Sequence, residues 1–248
     1  MEILRVENLG FDAGEKRILE NVSFSLEKGQ LMAVCGPNGA GKSCLLRVLK
    51  GLQKPKTGKI FLDGEECTTK EKVRLHKLGL VFQDADVQTI GETVERDISF
   101  GPENLKLSKE EVKKATDKVI DFFDLGAFRK QGPETLSGGE RRKLVIAGVL
   151  AMEPEIVMLD EPFANLDYRG VQTVLRAIVK LRDSGKSVLL VSHEVEKFLA
   201  LCDTTLIINS GKAVFYGKSE DAVKHFEENG IHYPKLSFKD LSYLEENS

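Results

Sequence analysis

An eight-residue segment of the chain has the composition of a phosphate-binding loop. Residues 36–43 read GPNGAGKS and match the pattern G-x-x-x-x-G-K-[ST]. Glycines let a backbone wrap closely around a phosphate chain with its N–H groups pointing inward, and a helix that follows adds its positive end. Lys42 can bring a compact charge to the β- and γ-phosphates, and the Ser43 hydroxyl can ligate Mg²⁺. The residues predicted to surround a nucleotide are Gly36, Pro37, Asn38, Gly39, Ala40, Gly41, Lys42, Ser43 and Cys44.

Two carboxylates end an apolar segment later in the chain. The sequence EIVMLDE occupies residues 155–161, and its apolar residues predict a strand buried in a sheet. Asp160 then emerges at the carboxyl end of that strand, where the ligand sites of α/β proteins lie. There Asp160 could hold Mg²⁺ through its water shell, and Glu161 could act as general base on an attacking water. Such a strand end is commonly structural, so this prediction depends on the glycine-rich loop.

A third segment, LSGGE at residues 136–140, predicts the start of a helix. Ser137 can cap the helix, and Glu140 completes a capping box with it. Gly138 and Gly139 allow another backbone to approach closely. Taken alone, the segment indicates no more than a well-capped helix.

Strands and helices alternate around these segments. Unbroken apolar runs predict buried strands, and a helical spacing of apolar residues follows the glycine-rich loop as far as Gly51 and recurs from about 168 to 184. The apolar runs occupy residues 31–35, 78–83, 155–160 and 187–192. Continuous apolar strands followed by helices indicate a largely parallel sheet that is buried on both faces. The predicted fold class is therefore α/β.

Shorter strand signals flank this core. Residues 3–11 alternate between apolar and polar, and the segment 22–26 is predicted to form a hairpin with residues 31–35. A further strand closes at residues 63–64, which read Asp-Gly, and residues 204–217 predict a hairpin with its turn at Ser210-Gly211.

Between residues 84 and 132 the sequence changes character. Lys and Glu interleave with apolar residues at helical spacing, as in KEEVKKATDKVIDFFDL at 109–125. This pattern predicts a helical subdomain inserted into the core over about residues 84–150. Residues 219–248 predict a short C-terminal helical extension.

Composition limits the classes of function. The chain has 248 residues, of which 41% are hydrophobic and 30% charged, so we expect a folded core and not a disordered chain. Its formal net charge of −3 argues against nucleic-acid phosphates as the main partner. The four cysteines show no metal-ligand spacing and are expected to be reduced thiols. We expect neither a signal peptide nor a membrane-spanning segment, so a role at a membrane would depend on a partner.

The order of glycine-rich loop, LSGGE and acidic strand end resembles that of the ATP-binding-cassette (ABC) ATPases, in which LSGGE is the signature motif. Gln83 is similar to the Q-loop glutamine of that family, which senses Mg²⁺ and the attacking water. Asp167, at the end of ANLD, is similar to the D-loop aspartate that reaches across a dimer, and His193 to the switch histidine that contacts the γ-phosphate. The resemblance implies a P-loop NTPase fold over residues 1–218, with a mainly parallel sheet, an antiparallel β subdomain and the inserted helical subdomain.

The resemblance also implies a mechanism that needs two subunits, ATP and Mg²⁺. In this family the signature helix of one subunit caps the ATP that is held by the loop of the other. The signature residues that would act on the partner's ATP are Ser137, Gly138, Gly139 and Glu140. The residues implied in hydrolysis are Lys42, Gln83, Glu161 and His193, and those implied at Mg²⁺ are Ser43, Gln83 and Asp160.

One position departs from the family pattern. Most of these ATPases stack an aromatic side chain on adenine at the position where this chain has Ala13. Phe11 is two residues earlier and is the candidate for that role. Alternation along a strand could equally bury Phe11 in the core.

The segment 82–108, with Gln83 and Gln88, resembles the ATPases of energy-coupling-factor (ECF) importers and related cobalt and nickel uptake systems. That resemblance implies a second ATPase subunit, identical or paralogous, a transmembrane coupling protein and a membrane subunit that binds a vitamin or a transition-metal ion. It places the chain at the cytoplasmic face of the cell membrane, with Gln83 and Gln88 near the membrane partner. The C-terminal extension would either lengthen the dimer contact or cover the edge of the core.

Three alternatives to this interpretation make different demands on the sequence. A soluble ABC ATPase acting on DNA or ribosomes usually carries tandem cassettes, coiled-coil insertions or basic arms, and the sequence shows none of these. An ABC transporter of another class could share the helical subdomain. A subunit that binds ATP without turnover is disfavoured by Glu161, His193 and the intact LSGGE.

Overall fold

The computed structural model describes residues 1–234 and 236–244, except for the side chains of residues 85 and 86; residue 235 and residues 245–248 of the predicted extension lie outside this description. The strands are β1 (Glu2–Ala13), β2 (Lys16–Glu27), β3 (Leu31–Cys35), β4 (Thr57–Leu62), β5 (Glu65–Glu66), β6 (Leu78–Val81), β7 (Ile156–Asp160), β8 (Ser187–Val191), β9 (Thr204–Asn209) and β10 (Lys212–Lys218). The helices are α1 (Lys42–Lys50), α2 (Glu71–Lys77), α3 (Ala85–Gln88), α4 (Val94–Asn104), α5 (Lys109–Phe122), α6 (Gly138–Leu150), α7 (Tyr168–Asp183) and α8 (Ser219–Ala222).

The main sheet has the strand order β10-β9-β3-β8-β7-β6, and β3, β6, β7, β8 and β9 run parallel in it. All residues of β3, β7 and β8 are buried, as the unbroken apolar runs predict. Parallel strands end at the same edge of a sheet, so the chain brings the segments after β3, β6, β7 and β8 together there. The α/β prediction is confirmed.

A second sheet, in the order β2-β1-β4-β5, is antiparallel. The prediction that residues 22–26 form a hairpin with residues 31–35 is wrong, because β2 pairs with β1 while β3 lies between β8 and β9 in the main sheet. Burial alternates along much of β2, as on a strand with one covered face, but β3 is buried throughout. The turn that ends at Gly29, with a φ of 76°, carries the chain from one sheet to the other.

The predicted hairpin of residues 204–217 is confirmed as β9 and β10, which pair antiparallel. Its turn residues Ser210 and Gly211 have φ values of 49° and 80°, the left-handed conformation that a two-residue hairpin turn requires. Helices α3 to α6 occupy the region of the predicted helical subdomain. Capping boxes at Ser108 and Ser137 begin α5 and α6.

The described part of the C-terminal segment packs back onto the core. Leu241 is fully buried, and its carbonyl accepts a hydrogen bond from Ala200 N at 2.9 Å. Tyr243 N donates to the Lys197 carbonyl at 2.9 Å. These contacts favour the covering of the core edge over the alternative of an extended dimer contact. Over residues 1–234 and 236–244, no helix is both long and apolar enough to cross a membrane.

An ion-pair cluster in the helical region gives a pH-dependent prediction. Arg129 and Lys130 contact Glu95 and lower the pKa of its carboxyl from 4.5 to about 2. A carboxyl whose pKa is lower in the folded state than in the unfolded state stabilises the fold above pH 4.5. This stabilisation is lost as the pH falls toward 2. Glu95→Gln should therefore lower the free energy of unfolding at pH 7 by about 1 kcal/mol, and the difference from wild type should shrink below pH 4.5. Urea unfolding at several pH values measures this, and the exposed Glu92→Gln is the control. A difference that does not depend on pH would contradict the prediction.

Candidate active site

The glycine-rich loop between β3 and α1 adopts a backbone that depends on glycine. Gly36 has a φ of 142°, and a Cβ there would lie 1.9 Å from the carbonyl oxygen of Ile208. Gly41 has a φ of 105°, and a Cβ there would lie 2.9 Å from Cδ2 of Leu19. The loop thus wraps tightly against neighbouring strands, and its residues line a cavity of about 490 Å³ together with Glu161 and His193.

Lys42 is buried at the start of α1. Its ammonium donates to the carbonyls of Gly36 at 2.7 Å and Pro37 at 3.1 Å, which hold the charge inside the curve of the loop. Burial lowers the pKa of Lys42, while Glu161, Cys35 and Asp160 act to raise it. A lysine in this position can interact with phosphate oxygens without moving far from the loop.

Asp160 and Ser43 form the oxygen-rich corner of the site. The Ser43 hydroxyl donates to Asp160 Oδ1 at 3.0 Å, and Asp160 is only 4% exposed. Burial raises the pKa of the Asp160 carboxyl and the charge of Glu161 adds to this, while the Ser43 hydrogen bond lowers it. A buried carboxylate beside a hydroxyl offers the hard oxygen donors that Mg²⁺ prefers, so these residues fit the ion.

Glu161 follows β7 in a left-handed conformation with a φ of 45°, which is uncommon for a residue with a side chain. Its backbone N donates to the Val191 carbonyl at 2.8 Å, which ties it to β8. The carboxylate oxygen Oε2 accepts the Ser192 hydroxyl at 2.9 Å, and Oε1 lies 3.0 Å from His193 Nδ1. The strand ends of β7 and β8 thus hold a buried carboxylate next to a histidine that reaches the surface.

Gln83 follows β6 and lines both the loop cavity and a larger cleft of about 900 Å³. Gln88 turns back onto the same strand end: its Oε1 accepts Phe82 N at 2.9 Å, and its Nε2 donates to the Leu80 carbonyl at 3.0 Å. In this structure the side chain of Gln88 therefore contacts the edge of the sheet, while Gln83 faces the cleft.

The signature segment lies on the helical side of that cleft. Ser137 accepts Glu140 N at 3.3 Å, and Glu140 Oε2 accepts Ser137 N at 2.9 Å, which completes the predicted capping box. Ser137 and Gly138 are exposed, so this helix start is accessible from outside. A Cβ on Gly139 would lie 2.8 Å from the Cα of Gly170, and this glycine lets α6 pack against α7.

Asp167 caps α7 within its own chain. Its Oδ1 accepts Gly170 N at 2.7 Å, and the residue is exposed just before the helix. The implied contact of Asp167 across a dimer stays a prediction.

Phe11 has the role of a core residue. Its side chain is 8% exposed and belongs to the hydrophobic cluster between the antiparallel sheet and α1. The alternative that alternation along β1 buries Phe11 agrees with the structure, and stacking of its ring on adenine does not, because little of the ring is accessible.

Three residues at the site were missed by the sequence interpretation. Ser192 bonds the Glu161 carboxylate, and it could have been found because it ends the apolar run before His193. Arg47 lines both cavities from one turn into α1. Arg142, which bonds the backbone at Phe82 and Gln83, has no signal in the sequence beyond its place after LSGGE.

The chain is similar in sequence to known ABC transporter ATP-binding proteins. The profile of the ABC transporter family matches residues 19–164. The chain is 37% identical over 234 residues to the energy-coupling factor transporter ATP-binding protein EcfA2 of Clostridium perfringens, with 90% of this chain and 82% of that protein covered. It is 35% identical over 218 residues to EcfA of Methanococcus maripaludis, with coverage of 86% and 78%.

A solved structure extends the likeness to the fold. That of cbiO1 from Clostridium perfringens, described as part of the ABC transporter complex cbiONQ, matches with a TM-score of 0.83 and 29% identity, covering 92% of each chain. The chain therefore belongs to the ABC transporter ATPases, in the branch of the energy-coupling-factor ATP-binding proteins.

Proposed function

We propose that this chain binds ATP and Mg²⁺ at its Gly36–Ser43 loop and hydrolyses the ATP when the signature segment of a second cassette closes over the phosphates. The observation that carries this proposal is the convergence of the loop, Asp160, Glu161 and His193 at one sheet edge. Ser137 and Gly138 stay exposed on the helical side, where the positive end of α6 suits a partner's nucleotide.

In the proposed reaction, a water attacks the γ-phosphorus in line with the oxygen that bridges the β- and γ-phosphates. Glu161 accepts the proton of this water, and the bond from the γ-phosphorus to the bridging oxygen breaks to give ADP and phosphate. His193 and Ser192 hold the Glu161 carboxylate in place, and Lys42 offsets the charge on the phosphates. Ser43, Asp160 and Gln83 would hold Mg²⁺, whose chemistry when bound is to neutralise charge on the β- and γ-oxygens.

The hydrolysis would energise an ECF-type importer for a vitamin or a transition-metal ion. This is supported by the relatives named energy-coupling factor transporter ATP-binding proteins and by the place of cbiO1 in an ABC transporter complex. Large apolar side chains are exposed along residues 87–100: Val87, which lines the cleft, at 76%, Ile90 at 57% and Phe100 at 47%. Such a surface suits the apolar side chains of a transmembrane coupling protein.

The chain is accordingly divided into an ABC ATPase domain over residues 1–218, with the helical subdomain inserted at about 84–150, and an extension over residues 219–248. It would lie at the cytoplasmic face of the membrane through its partners: a second ATPase subunit, the coupling protein and a membrane subunit that binds the cargo.

Extraction of the tagged chain from its native membrane in mild detergent tests this assignment. We expect it to retain a second ATPase subunit and two kinds of membrane protein. Val87→Asp should lose the membrane proteins while it keeps ATP binding, because a charge on the exposed apolar surface opposes docking. The control Val214→Asp changes a valine that is 45% exposed on β10. Ribosomes or nucleic acid with the wild-type chain, in place of membrane proteins, would contradict the proposal.

A further inference from the structure

Arg142 is a buried cation on the signature helix. It lies one turn into α6, shortly after Ser137, Gly138 and Gly139, and it is 4% exposed. Arginine is almost never buried to this extent unless its guanidinium is hydrogen-bonded. An apolar residue at this position would avoid the free energy of removing a charge from water. The hydrogen bonds of the guanidinium therefore indicate the role of Arg142.

The guanidinium bonds two successive carbonyls of the segment after β6. Nη1 donates to the Phe82 carbonyl at 2.9 Å, and Nη2 donates to the Gln83 carbonyl at 2.7 Å. The planar fork of an arginine fixes both carbonyls in one orientation, which the single ammonium of a lysine cannot do. Arg142 thus sets the backbone at Gln83, a residue that lines the loop cavity.

The same backbone is held from its other side. The N–H of Phe82 donates to Gln88, while the carbonyl of Phe82 accepts from Arg142. With both polar groups of Phe82 bonded, the peptide that leads to Gln83 has little freedom to rotate. A shift of α6 is then passed to Gln83 and is not absorbed by the backbone between them.

We propose that Arg142 is a positioning residue that links the two ATP sites of a dimer. This rests on the proposed function, in which the start of α6 contacts the partner's ATP while Gln83 acts at the chain's own ATP. When the partner's ATP draws the signature segment toward it, Arg142 moves the backbone of Gln83 with the helix. Each ATP therefore prepares the opposite site, and hydrolysis becomes cooperative in ATP.

The experiment compares Arg142→Met, Arg142→Lys and the control Arg176→Met, which removes an exposed arginine from α7. Each variant is measured for ATP binding, ATP-dependent dimerisation and steady-state ATPase rate against ATP concentration. For the wild type we expect a Hill coefficient above 1 and at most 2, the limit for two sites. Arg142→Met should bind ATP and dimerise, but its Hill coefficient should fall to about 1.

The kcat of Arg142→Met should fall on the order of 10²-fold, the effect of a misplaced catalytic group, with little change in the affinity for ATP. Arg142→Lys should recover only part of the rate, because one ammonium cannot bond both carbonyls. Wild-type kcat and cooperativity in Arg142→Met would overturn the inference. So would a lower melting temperature with an unchanged Hill coefficient, since that marks a purely structural role. A wild-type chain that neither dimerises with ATP, alone or with the second ATPase subunit extracted with it, nor hydrolyses ATP cooperatively would instead contradict the proposed function.

Discussion

Replacing Glu161 with glutamine should lower the rate of ATP hydrolysis by a factor on the order of 10²–10⁴, the contribution of a positioned general base. Glutamine has nearly the shape of glutamate, so Ser192 keeps an oxygen to bond, but the amide cannot accept the proton of the attacking water. ATP binding should stay close to that of wild type, because the loop residues and Lys42 are unchanged. With binding intact and cleavage blocked, ATP should hold two chains together. Single-turnover kinetics and size-exclusion chromatography with ATP and Mg²⁺ measure the two effects.

Glu196→Gln is the matched control, since it removes the same charge three residues after His193. It should leave hydrolysis and the monomer–dimer distribution as they are in wild type. Wild-type turnover by Glu161→Gln would remove Glu161 from the role of general base.

Gly36→Ala should abolish most ATP binding. The φ of 142° at Gly36 is a conformation that residues with a side chain rarely adopt, at a cost of about 1–3 kcal/mol. The added Cβ would also meet the Ile208 carbonyl oxygen at 1.9 Å, so the loop has to move away from β9. Because Lys42 is bonded to the Gly36 carbonyl, the ammonium moves with it. Titration with a fluorescent ATP analogue should show an affinity lower by a factor on the order of 10–10².

Gly39→Ala separates the clash from the backbone strain. Gly39 also has a positive φ, of 79°, but a Cβ there meets nothing within 4 Å. This control should be less stable by about 1 kcal/mol, the cost of the left-handed conformation alone. It should keep most of its affinity for ATP. Equal effects of the two substitutions would show that contact with β9 does not set the position of the loop.

The sequence was a good guide wherever one pattern was enough to define an element. The unbroken apolar runs of β3, β7 and β8 predict buried strands, and the structure buries every residue of them. The capping box at Ser137 predicts the start of α6, and α6 begins at the next residue. In both cases a local preference and the tertiary environment agree.

These local patterns could not predict which distant strands pair. The turn at Gly29 fits a hairpin as well as it fits a crossing between two sheets, and only the partners of β2 and β3 decide between them. Alternation likewise left the role of Phe11 undecided, because the pattern does not say whether the covered face of β1 meets the core or a ligand.

At the site, the glycine-rich loop and the acidic strand end could be derived from chemistry, but LSGGE could not. Its residues explain only a capped helix, and the assignment of that helix to another subunit's ATP came from the resemblance to a family. The contacts of Arg142 and Gln88 with the backbone after β6 depend on tertiary packing, for which the sequence offers no periodic signal.

The most direct test of an active site shared between two chains mixes two inactive variants of the chain. Lys42→Ala should fail to hold ATP in its loop but keep its signature segment. Gly138→Asp should keep its loop but repel a partner's ATP, and a Cβ at this position meets only the end of the Leu166 side chain, Cδ2 at 2.9 Å. We expect each variant alone to be inactive and a mixture to hydrolyse ATP, because a mixed dimer holds one intact site. Wild-type turnover by Gly138→Asp alone would contradict an active site shared between two chains. So would a mixture no more active than its components, provided that the wild-type chain is active without another subunit.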